Sequence, residues 1–154
     1  DNITDAVIWR GPMIAGAVRQ FWTDVNWGDI DYMFVDMPPG TGDVPLTVYQ
    51  SLPLDGIILV TSPQQLVAMI VEKAANMSTE MLVPILAMVE NMSYFVCPDC
   101  NKKYHIFGDS NMKQISYSAE LPINPELATA CDEGAIETID APWLEKIVDM
   151  LEKE

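Results

Sequence analysis

Asp31-Tyr32-Met33-Phe34-Val35-Asp36-Met37-Pro38-Pro39-Gly40-Thr41-Gly42-Asp43 is the stretch on which the fold reading turns. Its first half is a short apolar run that ends in a carboxylate, the pattern of a strand buried on both faces. Its second half is a proline-stiffened, glycine-bearing loop, so the segment predicts a buried strand opening into a rigid turn. Two similar runs follow, Gly56-Ile57-Ile58-Leu59-Val60-Thr61 and Val83-Pro84-Ile85-Leu86-Ala87-Met88-Val89. Between them Ser62-Pro63 reads as N-cap and first helical position of a helix reaching about Ser78. Upstream, Met13, Ile14, Ala17, Val18, Phe21 and Trp22 recur at helical spacing over residues 12–24, after an extended Ala6-Val7-Ile8-Trp9. Strands apolar on both faces and separated by helices imply βαβ units, hence an α/β class with a mostly parallel sheet and flanking helices.

Beyond Asn91 the pattern breaks. Residues 94–107 form an aromatic, cysteine-bearing insertion, followed by a helix near Asn111, a weak strand over residues 117–120, and Leu121-Pro122-Ile123. Trp143, Leu144, Ile147, Val148 and Leu151 mark a closing amphipathic helix. The chain has no linker, repeat or low-complexity segment and reads as one domain over residues 1–154.

Composition narrows the function classes. The 154 residues are 49% hydrophobic, enough for a folded core, and 8 Lys+Arg against 23 Asp+Glu leave a net charge of −15. That balance repels nucleic-acid backbones and anionic lipid surfaces, so neither is an expected partner. No apolar run approaches the roughly 18–20 residues of a spanning helix, and the acidic first residues lack the basic start of a signal peptide, giving a cytoplasmic expectation. Three cysteines are an odd count for a disulfide framework.

Two motifs carry chemistry. An Asp at the carboxyl end of a parallel strand lies where open α/β sheets bind ligands, and in P-loop NTPases such an Asp serves the nucleotide's Mg²⁺. This makes Asp36 a magnesium-side candidate, with Gly40, Thr41, Gly42 and Asp43 as a switch-type loop whose backbone amides approach phosphate. Cys97-Pro98-Asp99-Cys100 offers two thiolates at a spacing that lets both reach one metal or cluster. Four-coordinate sites need more, so a symmetric pair of copies would complete either a zinc site or a [4Fe–4S] site. A thioredoxin-like redox pair fits less well, because the motif does not open a helix. The lone His105 is an unspecific ligand candidate, and Cys131 reads as a packed or inert thiol on a helix face. Asn91 presents an amide complementary to an adenine edge. Arg10, in a turn before the first helix, is read as solvated.

Together these stretches resemble the Mrp-type ATPases, MinD-related P-loop proteins that carry iron–sulfur clusters. The resemblance rests on Val7-Ile8-Trp9-Arg10-Gly11-Pro12, Phe34 through Asp43, Val60-Thr61-Ser62-Pro63-Gln64, Val89 through Phe95 with the cysteine pair, Ile106-Phe107-Gly108 and Cys131-Asp132-Glu133-Gly134. It implies a homodimer with ATP·Mg²⁺ in each subunit and a [4Fe–4S] cluster between paired Cys97 and Cys100, delivered to apo-protein clients. By the same resemblance Asp36 is the Walker B-like carboxylate, residues 38–43 are switch II, and Asn91 with Pro122 contact adenine. The alternative is a non-enzymatic module stapled by zinc at the same cysteines.

One departure qualifies this. The family's phosphate loop carries a Gly-Lys pair, and no lysine here follows a glycine. The chain is therefore expected to be the C-terminal portion of such a protein, a partial P-loop fold missing the phosphate-loop strand and inactive alone as an ATPase. A sheet lacking that strand is expected to close up or to pair across chains.

Overall fold

The computed structural model describes residues 11–108 and 116–153. Among the described residues five α-helices and four strands follow one another as α1 (Gly11–Thr23), α2 (Asp43–Ser51), β1 (Ile57–Thr61), α3 (Gln65–Glu80), β2 (Ile85–Val96), β3 (Lys103–Tyr104), β4 (Ser118–Pro122), α4 (Pro125–Glu133) and α5 (Glu145–Leu151). Short 3₁₀ turns at Ile136–Thr138 and Pro142–Leu144 lead into α5.

The sheet is organised around β2. β1 and β4 pair with it in parallel on either side, and β3 returns antiparallel against its far end. Because β2 is covered on both faces, its central residues are apolar in succession rather than alternating. On one face Ala87, Val89 and Ala119 pack with Ile147 and Met150 of α5. On the other, Ile57, Leu59 and Met88 pack against Tyr49 of α2 and Val71, Ala74 and Ala75 of α3. Helices on both sides of a mostly parallel sheet are the architecture expected from the sequence.

β2 departs from regular pairing twice. Ile57 pairs with Ile85 and Ile58 with Ala87, so Leu86 is an extra residue in a bulge. Further along, Glu90 pairs with Glu120 but Tyr94 with Pro122, so residues 91–93 arch against a single residue of β4. Met92 takes a left-handed backbone with φ of 56° at this arch, and its amide donates to the Asn91 side chain at 2.9 Å.

Several expectations are corrected. Residues 31–36 form no ladder among the described residues, and Phe34 is 72% exposed. A strand exists by pairing, and no described strand pairs with the outer edge of β1, where Val60 is 62% exposed. Among the described residues the sheet thus does not close up over that edge. α3 begins at Gln65 with Gln64 as its N-cap, not at Ser62 and Pro63, which are buried just ahead of it. β2 runs seven residues past Val89, because the arch at 91–93 lets it turn from its parallel neighbours into a hairpin with β3. The helix expected over residues 12–24 is present as α1, and the loop of residues 36–43 runs directly into α2. The extended segment at residues 6–9, Arg10 and the helix near Asn111 lie outside the described residues.

α1 has no buried residue. Its link to the rest includes the Arg19 Nε donating to Ser51 Oγ at 3.2 Å, and the following loop is tied to α5 by Tyr32 Oη donating to the Leu151 carbonyl at 3.3 Å.

Candidate functional site

The cysteines sit where a tight hairpin must turn. β2 and β3 pair Phe95 with Tyr104 and Val96 with Lys103. The Cys97 amide then donates to the Lys102 carbonyl at 3.0 Å, and the Asn101 amide donates back to the Cys97 carbonyl at 2.9 Å. Asn101 adopts φ of 56°, a left-handed conformation that asparagine tolerates and that closes the turn. Residues 98–100 are thereby curled over the Cys97 sulfur. The backbone amide of Cys100 first, then that of Asp99, then the Cys100 thiol, hold the Cys97 thiol below its ordinary value by hydrogen bonding to the thiolate. Such a turn prepares sulfur as an anionic ligand.

Cys97 is half-buried and Cys100 exposed, and both are free thiols. Among the described residues no group of three or more His, Cys, Asp and Glu side chains gathers as a metal-binding set. His105 turns elsewhere: its Nδ1 lies 3.1 Å from the Ser93 carbonyl, and its ring stands 6.2 Å from that of Tyr94. One copy therefore offers two thiol ligands at the hairpin tip. Cys131 lies on α4 and is exposed rather than packed.

The loop of residues 36–43 has a different character. Asp36 is exposed and does not end a strand, contrary to the expectation. Gly40 has φ of 94°, a backbone that L side chains rarely adopt, so this glycine is required by the turn. Gly42 caps α2 without a side-chain hydrogen bond, and Asp43 opens the helix, its carbonyl accepting from Thr47 Oγ1 at 2.7 Å. Asp43 also approaches the start of α1 closely: a Cβ on Gly11 would stand 2.6 Å from its Oδ2. Thr41 is exposed between them.

Asn91 and Pro122 are brought to one end of the sheet, where β2 and β4 finish their parallel pairing. Asn91 belongs to the arch inside β2 rather than to a loop after it, and lines an apolar groove with Phe34, Val60 and Val148. Pro122 is the buried last residue of β4, not a loop residue.

Glu90 was visible only as part of the wider motif, yet it is the most deeply buried carboxylate described, at 1% exposure. Its Oε1 accepts from Ser93 Oγ at 2.8 Å, and Ser93 is itself fully buried. The signal in the sequence is a carboxylate inside an otherwise apolar strand. This pair spans the arch, so Glu90 holds in place the bend that carries β2 to the cysteines. Glu90→Ala is expected to lower unfolding stability by about 2–3 kcal/mol, since it strands a buried hydroxyl and leaves a void. Glu90→Gln, which keeps an acceptor, is expected to lose less than half as much. Urea denaturation followed by circular dichroism measures both, and equal losses would contradict the hydrogen-bond role.

Residues 1–153 match the family model described as NUBPL iron-transfer P-loop NTPase. The chain belongs to this family. Among curated relatives of the NUBPL-type NTPases, an iron-sulfur cluster carrier protein from Pyrococcus horikoshii is 41% identical over 155 residues, covering 96% of this chain and 52% of that protein. An iron-sulfur cluster transfer protein NUBPL from Dictyostelium discoideum is 40% identical over 147 residues, covering 92% of this chain and 46% of that one. A solved nucleotide-binding protein from Archaeoglobus fulgidus, in complex with ADP, superposes with a TM-score of 0.78 at 40% identity, over 86% of this chain and 57% of its own. The chain thus spans about half the length of the curated relatives it matches. The P-loop NTPase-like α/β fold is the one expected from the motifs.

The NUBPL-type motifs divide unevenly between the family's two ligands. The hairpin supplies two thiols and backbone amides turned toward one of them. For a nucleotide, residues 36–43 supply a carboxylate and an uncapped helix start, but the 154 residues hold no Gly-Lys phosphate cradle. These residues therefore do not make a complete nucleotide site. Among the described residues no helix is long and apolar enough to cross a membrane.

Proposed function

We propose that this chain is the cluster-bearing portion of an iron–sulfur cluster carrier, in which Cys97 and Cys100 from each of two copies complete a four-thiolate site for a [4Fe–4S] cluster. The observation that carries this reading is the hairpin turn, which aims two backbone amides at the Cys97 sulfur and offers only two thiols per copy. Each cysteine binds iron as thiolate and releases its proton, and the amide hydrogen bonds lower the cost of holding that charge. Exposure of Cys100 leaves the cargo accessible to an acceptor's thiols, as transfer to an apo-protein client requires.

In the intact family protein, Asp36 would lie on the Mg²⁺ side of ATP, residues Gly40, Thr41, Gly42 and Asp43 would act as the switch, and Asn91 with Pro122 would border adenine. Hydrolysis belongs to that larger site, and this chain is expected to show none alone. The three free cysteines suit a reducing, cytoplasmic setting. The zinc-stapled alternative draws no support from the names of the relatives.

The test is anaerobic incubation with ferrous iron and sulfide, followed by metal and acid-labile sulfide analysis and sedimentation. The expected product contains iron and sulfide in equal amounts, a broad visible absorbance, and a mass of two chains. Zinc retention in place of iron, or iron bound by single chains, would overturn the proposal.

A further inference from the structure

The cysteine hairpin is an electrostatic exception. The chain carries −15 in total, yet residues 97–105 hold Lys102 and Lys103 against Asp99 alone. Two such acidic chains repel each other at most approaches, and that repulsion is weakest where the local surface is not acidic. Side chains alternate across the hairpin, so the pairing of Phe95 with Tyr104, Val96 with Lys103 and Cys97 with Lys102 sorts the two lysines onto opposite faces. Lys102 shares the face of Cys97, with its ammonium 5.6 Å from the centre of the Tyr104 ring. Lys103 lies on the other face, its ammonium 4.1 Å above the ring of Tyr94, which is only 6% exposed.

We propose that Lys102 is the charge-compensating residue of the shared cluster site, whereas Lys103 is a structural cation parked on Tyr94. The inference rests on the cluster reading above. Four thiolates around an iron–sulfur core leave a net anion at the junction of two acidic chains. A lysine from each copy on the thiolate face offsets that charge and the repulsion behind it. The weak hold of the exposed Tyr104 ring leaves the Lys102 ammonium free to swing toward the cargo, whereas the buried Tyr94 ring keeps Lys103 in place.

The test compares Lys102→Glu, Lys102→Arg and Lys103→Glu after anaerobic loading with ferrous iron and sulfide, reading the iron-dependent two-chain species by sedimentation. Lys102→Glu is expected to weaken pairing about tenfold at roughly 50 mM salt and to recover most of it at roughly 0.5 M, where screening shortens the reach of the repulsion. Lys102→Arg is expected to pair as the parent does, and Lys103→Glu to change pairing by less than about threefold. Equal effects of the two Glu variants, or a Lys102→Glu deficit that salt does not relieve, would overturn the lysine assignment while leaving the cluster reading intact. A parent chain that forms no iron-dependent pair would overturn both.

Discussion

Cys97→Ala and Cys100→Ala, singly or together, are expected to reduce iron and sulfide retention to background after anaerobic loading. In the proposed two-copy site each single change would remove two of the four thiolates, and an iron–sulfur cluster would not persist on the remainder. The loss is a ligand effect rather than a folding one. Both thiols lie at the tip of a hairpin, away from the two apolar clusters that pack the sheet. Circular dichroism and thermal midpoint are therefore expected to stay within a degree or two of the parent. Cys131→Ala serves as the control, since that thiol sits on α4 and is expected to leave loading unchanged. Full loading of either hairpin variant, or loss of loading in the α4 variant, would refute the ligand assignment.

The second large effect concerns the bulge that starts β2. A methyl group on Gly56 would stand 2.7 Å from Leu86 Cδ1 and 2.9 Å from Cδ2, inside normal contact. Leu86 has little room to retreat, because as the extra residue of the bulge it packs into the cluster formed with α5. Gly56→Ala is expected to cost about 2 kcal/mol, in the range of overpacked cores. For a chain of this length that lowers the thermal midpoint by roughly 4–8 °C. In a Leu86→Ala background the same change is expected to cost less than about 0.5 kcal/mol, because the clashing methyls are gone. Equal costs in the two backgrounds would show that the penalty has another source.

Much of the fold is legible because apolar periodicity reports burial. Ile57 to Thr61 and the closing helix follow from spacing alone, since each contributes to a buried cluster, whereas the helix over Gly11–Thr23 follows from the same spacing without burying a residue. Residues 31–36 show where that logic stops. Their apolar run describes what the segment is able to bury, whereas a ladder needs a neighbouring strand to supply hydrogen bonds, and none is described there. The extension of β2 past Glu90 was hidden for a related reason. The arch at residues 91–93 is held by Met92 in a left-handed backbone and by a buried Glu90–Ser93 hydrogen bond, neither of which has a periodic signature.

For the site, the spacing of Cys97 and Cys100 by itself determined that two thiols lie within one short turn, and the ordered motifs determined the family. The absence of a Gly-Lys pair likewise determined that these residues make no complete phosphate cradle. Only the tertiary structure decided that the thiols stand at a hairpin tip with amides turned onto Cys97, that His105 turns to Ser93 instead, and that Lys102 rather than Lys103 shares the thiolate face. Ligand spacing is local and written into neighbouring residues. Which face a side chain takes depends on strand register, and that is settled only when β2 and β3 pair.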